Sequence, residues 1–268
     1  MNEINPVPFA FRLLAGLALL VLLVPVAIVV MAGLNSGEYL TFPPEGISLR
    51  WVKGFFVSPT FLPAFKLSFG LALVTTLVST VLGTLAAVFL TRTRSRAREL
   101  LRGLFILPVI LPGVVLGLAL YVFYIWTDIG LARSLTGLLI GHVLVTMPFV
   151  IATVTASLVD FDLSIEEAAR ALGATAAQAF VKVTLPNIAS GITAGTIFAF
   201  IVSFGQFELT LFLSTPDLQT LPIAMYTSLR YAFEPTAAAA GIFAIFLVTV
   251  STLLTSRLVN LKKMLRRR

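Results

Sequence analysis

Six long apolar runs divide the chain: Leu13–Leu34, Lys66–Leu90, Leu104–Trp126, Leu135–Leu158, Ile188–Leu213 and Ala237–Leu258. The first holds 22 residues without a charge. At about 1.5 Å per helical residue this crosses a hydrocarbon layer of roughly 30 Å. The other five are long enough to do the same, allowing for tilt. Open strands are unavailable to such runs, because lipid offers no partner for exposed backbone N–H and C=O groups. The pattern predicts an all-α membrane protein of six transmembrane helices, forming one domain over residues 1–268. The first run is too long for the apolar region of a cleaved signal and is read as the first span.

Composition agrees. Hydrophobic residues make up 58% of the chain and charged ones 12%, with a mean hydropathy of +1.02, which excludes a soluble core as the main architecture. The net charge of +7 does not point to nucleic acid, which requires a basic face on a soluble domain. It reads instead as orientation. The turn after the second run carries Arg92, Arg94, Arg96, Arg98 and Arg102, and the tail carries Arg257, Lys262, Lys263, Arg266, Arg267 and Arg268. Placing both in the cytoplasm puts Arg50, Lys53, Lys66, Arg133 and Arg230 at the outer side and the remaining 14 of 19 basic residues inside. Both termini are then cytoplasmic. The absence of cysteine excludes disulfides, thiolate metal sites and a cysteine nucleophile.

Pro25, Pro108, Pro112 and Pro148 sit inside spans, each removing a backbone bond that a neighbour must compensate. Gly70, Gly83, Gly113, Gly117, Gly191 and Gly195 suit close helix approach. No internal repeat is evident, which weighs against a stand-alone secondary carrier.

The segment from Asp160 to Pro186 is polar enough to leave the membrane but too regular for a linker. Ser164 with Glu167 three residues on reads as a capping box opening a short helix. Glu166 and Glu167 suit its positive end. Gly173 is placed to end it in the left-handed conformation. A second short helix over about Thr175–Val183 leads to Pro186, which is tolerated in the first turn of the fifth span. Seven alanines keep this bracket slim. It fits either a groove on another protein or an amphipathic connector resting on the membrane.

At these residues the chain resembles the inner-membrane permeases of binding-protein-dependent ABC importers. Their hallmark is E-A-A, three residues, G, nine residues, an aliphatic residue, any residue, then L-P. Glu167, Ala168, Ala169, Gly173, Val183, Leu185 and Pro186 match it, with Val183 in place of the usual isoleucine. The resemblance implies the type I importer fold in the bacterial inner membrane. It also implies that residues 160–186 couple the chain to an ABC ATPase dimer, which would hold ATP and Mg. A second permease subunit, by subfamily usually non-identical, and a periplasmic substrate-binding protein are implied as further partners. The segments from Tyr39, Leu82, Ile106 and Leu211 are similar to the spermidine/putrescine-type subfamily. That subfamily often carries an acidic pair where this chain has Gly205 and Gln206, its carboxylate lying instead at Glu208. The solute therefore stays open among polyamines, other amines, amino-acid derivatives and organophosphonates.

An acidic residue in mid-membrane costs at least about 2.5 kcal/mol at a helix centre. Glu208 therefore either faces a translocation path, with Gln206 and Ser203 beside it, or lies solvated near the outer boundary. Residues Pro222 to Phe233 fit a short helix at the mouth, packing through Ile223, Tyr226 and Leu229 at helical spacing, with Tyr226 a candidate outer gate. Contact with the binding protein is the other reading of that helix, and the loop Asn35–Phe61 is a second candidate for it. His142 has no second His or Cys with which to hold zinc and reads as a satisfied polar residue within the bundle. No G-x-x-x-x-G-K-[ST] motif occurs, so neither ATP nor another cofactor is expected on this chain. An intramembrane enzyme lacks the groups to activate a serine. An ion-coupled carrier working alone remains the alternative, distinguishable by transport without ATP or partner.

Overall fold

The computed structural model describes residues 8–39, 41–93, 97–232 and 234–265, with side chains described as far as residue 253. Arg94, Arg96, Phe233 and the side chains of the basic tail fall outside the described residues. Among the described residues the regular elements are helices, apart from one isolated antiparallel bridge between Asn35 and Ile47.

Four helices are long and apolar enough to cross a membrane: α1 (Phe9–Gly33), α3 (Phe61–Arg92), α6 (Leu135–Val159) and the start of α13 (Pro235–Leu265). Two bent pairs bring the number to as many as six. The third run is not one continuous helix: α4 (Arg98–Ile110) and α5 (Gly113–Thr127) meet at 106°. The cause lies at Pro112. Its ring pushes Leu111 out of the helical region to φ −71°, ψ 137°, and Pro112 itself becomes the N-cap of α5. The fifth run is entered through a bend and divided after Phe204. A segment over residues 176–187 bends by 69° into α10 (Ala189–Phe204), which ends at Gly205 before one further turn, α11 (Thr210–Leu213). Here α2 is Arg50–Val57, α7 is Leu163–Ala171, α8 is Ala176–Ala179, α9 is Leu185–Asn187 and α12 is Leu221–Tyr231.

By its contacts the chain divides into two units, Met1–Leu62 with Ala224–Leu247, and Pro63–Ile223 with Val248–Arg268. The second unit is built around α6. Glycines set how closely its neighbours approach. A Cβ on Gly83 of α3 would lie 2.8 Å from Val150 Cβ, and one on Gly195 of α10 would lie 2.9 Å from Val150 Cα. One on Gly191 would lie 2.6 Å from the Thr153 carbonyl oxygen. Gly191 and Gly195, four apart, thus form the small-residue groove by which α10 seats on α6. Gly70 has open space and plays no such part. Two buried clusters fill the rest, one with Leu90, Val150, Val154, Leu158 and Ile188, the other with Leu71, Leu116, Leu138, Leu209 and Leu213.

In the first unit the segment after α1 is tightly knit. Asn35 is fully buried, its amide donating to Tyr39 O and Thr41 Oγ1 and its carbonyl accepting from Gly37 N and Glu45 N. Trp51 Nε1 donates to Gly37 O at 3.0 Å. Phe55 stacks on Phe243 with centroids 4.4 Å apart. Helix α1 is exposed from Phe9 to Ile28, half-buried from Val29 to Ala32, and buried at Gly33.

Candidate functional site: the loop bracket and the broken fifth span

The polar segment after α6 folds as a helical bracket. Its first helix begins two residues earlier than a Ser164 capping box requires: Asp162 is the N-cap, accepting from Ser164 N at 3.0 Å. That bond also holds the Asp162 carboxyl below its ordinary value. The C-terminus is closed as expected. Gly173 takes φ +95°, its N–H bonding Arg170 O, while Ala174 N–H bonds Ala169 O. These are the two bonds of a Schellman motif. The capping box sits on the second helix instead, where the Thr175 side chain accepts from Gln178 N and Gln178 accepts from Thr175 N. That helix does not run as one α-helix to Val183. From Phe180 to Thr184 it widens into a π turn, with Leu185 N–H reaching back to Phe180 O.

The π turn brings Thr184 inward. Thr184 is fully buried, and its hydroxyl donates to Glu166 Oε2. Glu166 also receives a forked pair of bonds from Arg92 at the end of α3, with Nη1 to Oε1 at 3.0 Å. Arg92 Nη2 reaches Thr184 Oγ1 at 3.4 Å, and its guanidinium lies over the Phe180 ring. One carboxylate thus ties together α3, α7 and the π turn. Burial alone pushes the Glu166 carboxyl up, but the bonds from Arg92 and Thr184 and the charges of Arg92 and Arg170 outweigh it, leaving the group below its ordinary value.

The motif residues divide around this anchor. Glu167, Ala168, Gly173 and Pro186 are exposed, and Ala169, Val183 and Leu185 are half-buried. Leu172 is 90% exposed at the tip of the bracket. The anchoring residue is therefore Glu166 and not its neighbour Glu167, and neither Arg92 nor Thr184 stands out in the sequence as its partner.

A second polar cluster lies at the break in the fifth run. His142, buried on α6, contacts Ser203 Oγ through Nδ1 at 2.9 Å and Thr210 Oγ1 through Nε2 at 3.0 Å. One ring therefore bridges the end of α10 and the start of α11. The Thr210 hydroxyl donates its proton to Gln206 O at 2.9 Å, so it accepts from Nε2–H, and Ser203 donates to Nδ1. Thr146 donates to His142 O, and Ser79 bonds Thr146 Oγ1 at 2.7 Å, extending the network to α3. His142 is thus a satisfied polar residue.

The three path candidates part company here. Ser203 is buried and held by His142, Gln206 is half-buried with its carbonyl engaged, and Glu208 is exposed. Glu208 lies across the first residue of α5, so close that a Cβ on Gly113 would fall 2.2 Å from Oε2. Leu209 packs on Gly117 one turn further along α5. On α12, Ile223 is buried, whereas Tyr226 and Leu229 are not. Tyr226 accepts from Arg230 Nη1 at 2.7 Å. No cluster of potential metal ligands occurs among the described residues.

Apolar helices sufficient for up to six spans, and an anchored loop bracket between α6 and α10, define a multi-pass membrane protein. Residues 79–263 match the binding-protein-dependent transport system inner membrane component family, and the chain belongs to that family. It is 34% identical over 136 residues to the molybdenum transport system permease protein ModB of Haemophilus influenzae, covering 49% of this chain and 59% of that one. It is 34% identical over 103 residues to the putrescine transport system permease protein PotI of Escherichia coli, covering 38% of this chain and 37% of the relative. The match thus spans between about a third and three fifths of these relatives' length. A chain of the bacterial alginate ABC transporter in complex with alginate pentasaccharide-bound periplasmic protein has the same fold. Its TM-score is 0.73 at 19% identity, covering 92% of this chain and 91% of that chain. The MetNI methionine ABC transporter gives a TM-score of 0.62 at 18% identity, covering 76% and 96%. The chain has the type I ABC permease fold and is an inner-membrane protein.

Proposed function

We propose that this chain is the permease subunit of an ABC importer, passing a small solute received from a periplasmic binding protein, with ATP hydrolysed on a separate subunit. It acts as one permease across residues 1–268, both termini in the cytoplasm and residues 160–186 forming the coupling element. The observation that carries the reading is the loop bracket. Glu166 locks it to α3, so that force applied at the exposed Glu167, Ala168 and Leu172 reaches a span directly instead of being absorbed by a flexible linker. Gly173 supplies the turn at its tip, and Val183, Leu185 and Pro186 join it to α10. A second permease subunit, most consistent with a non-identical chain, completes the path.

For the solute, the exposed Glu208 carboxylate at the break of the fifth run favours a cation such as a polyamine or another amine. The likeness to molybdenum permeases favours an oxyanion instead. Glu208→Gln separates the two: transport of a cation falls about tenfold or more, whereas an oxyanion passes unimpaired or faster.

Purification of the tagged chain in mild detergent, with identification of co-purifying chains and an ATPase assay, tests the assembly. Recovery of an ATPase and a second permease supports it. Solute uptake by the purified chain alone, without ATP, establishes the ion-coupled carrier in its place.

A further inference from the structure

Beside the loop bracket, α3, α4 and α6 border an open cavity of about 460 Å³. It lies at the end of α6 that leads into α7. Its inner wall is a stripe of α6 at one helical face, Pro148, Ala152, Thr155 and Val159, faced by Ile106 of α4. Its rim is cationic. Arg98 and Arg102, one turn apart in the first two turns of α4, both line it, and neither forms an ion pair among the described residues. The nearby Arg92 is spent on Glu166. Among the described residues Asp160 is the only acidic side chain lining the cavity, against two guanidiniums. Thr155 Oγ1 is buried in the wall with no hydrogen-bond partner.

An apolar slot running along a membrane span, closed at interfacial depth by two unpaired guanidiniums, is complementary to a molecule with a hydrocarbon body and an anionic head. A water-soluble anion leaves the apolar wall unfilled. A zwitterionic lipid sets its own ammonium group against the cationic rim. Basic pockets between membrane helices hold anionic headgroups in the same manner. We propose that this cavity is a binding site for an anionic phospholipid. Its acyl chain lies along the Pro148–Val159 stripe, and its headgroup phosphate is held between Arg98 and Arg102. Because the cavity shares Thr91 and Arg98 with the pocket beside Glu166 and Arg170, the bound lipid sits next to the bracket and becomes part of its support.

The test uses the full chain in nanodiscs of phosphatidylethanolamine containing a minority of phosphatidylglycerol, with retained lipid measured by native mass spectrometry after partial delipidation. Each interfacial arginine enriches anionic lipid about fivefold, so the retained lipid is enriched in phosphatidylglycerol by up to about 25-fold over bulk. The paired substitution Arg98→Gln/Arg102→Gln returns the ratio to that of the bulk. Ala152→Phe, which fills the slot without altering charge, lowers retention of the anionic lipid to a similar degree. Lys66→Gln, a charge removed from elsewhere on α3, leaves it unchanged. Retention at the bulk ratio by the unaltered protein overturns the proposal, and so does enrichment that survives Ala152→Phe, since it then reflects diffuse surface charge and no cavity.

Discussion

Glu166 can be removed without touching the family motif, and the structure sets what should follow. Glu166→Ala deletes a forked ion pair and leaves the buried Thr184 hydroxyl without its acceptor. Breaking a fully buried pair costs roughly 3–5 kcal/mol. The Arg92 side chain is 34% exposed, however, and can rehydrate, which brings the cost to about 2 kcal/mol. That corresponds to a roughly 30-fold rise in the population of the detached bracket. Hydrogen exchange over residues 163–186, in detergent or nanodiscs, reads this directly. Glu166→Ala accelerates exchange by about that factor, whereas Glu167→Ala, at an exposed position, leaves it unchanged. Solute uptake falls in both variants, in the first because the lever is loose and in the second because its docking face is altered. The pH dependence has a fixed sign. The native carboxyl lies below its ordinary 4.5, so its stabilisation is present above that value and is lost as pH falls through the lower native one. Equal protection of the bracket in wild type and Glu166→Ala refutes the anchoring argument.

Other contacts lead to further outcomes. Gly173→Ala places a Cβ at φ +95°, costs about 1–2 kcal/mol and should halve or abolish uptake without lowering the amount of protein in the membrane. His142→Phe removes both bonds across the break while nearly keeping volume. A loss of about 2 kcal/mol should appear as a lower Tm and faster proteolysis within residues 205–209, and unchanged cleavage there counts against the bridge. Gly191→Ala forces a Cβ to 2.6 Å from the Thr153 carbonyl oxygen and is expected to lower stability by about 1–3 kcal/mol, measured as Tm, whereas Gly70→Ala meets open space and should be neutral.

The spans were legible because lipid leaves a long apolar run little choice but helix. Their breaks were not read from length, although the signal at Leu111–Pro112–Gly113 is physical: the residue before proline is driven out of the helical region. Ends of the loop helices were partly legible. Gly173 could only be a left-handed stop, but Asp162 and Ser164 both suit an N-cap, and the choice depended on how the chain leaves α6. The true capping box, Thr175 with Gln178, has the same spacing as the expected one. Which of two adjacent glutamates turns inward was beyond reach. It depends on the phase of α7 relative to Arg92, which is 74 positions away in the chain. His142 was legible as a residue needing partners, while Ser203 and Thr210 came from a span whose break no periodicity announces.

The π turn at Phe180–Thr184 makes the length of the loop a matter of angle. An extra residue accommodated in a helix rotates everything after it by about 100° relative to an unbroken one. Here that rotation points Thr184 at Glu166 and sets the direction in which Leu185 and Pro186 enter α10. The nine residues between Gly173 and Val183 therefore work as the teeth between two gears: a single deletion would leave every side chain chemically intact and yet turn the anchor away from its carboxylate.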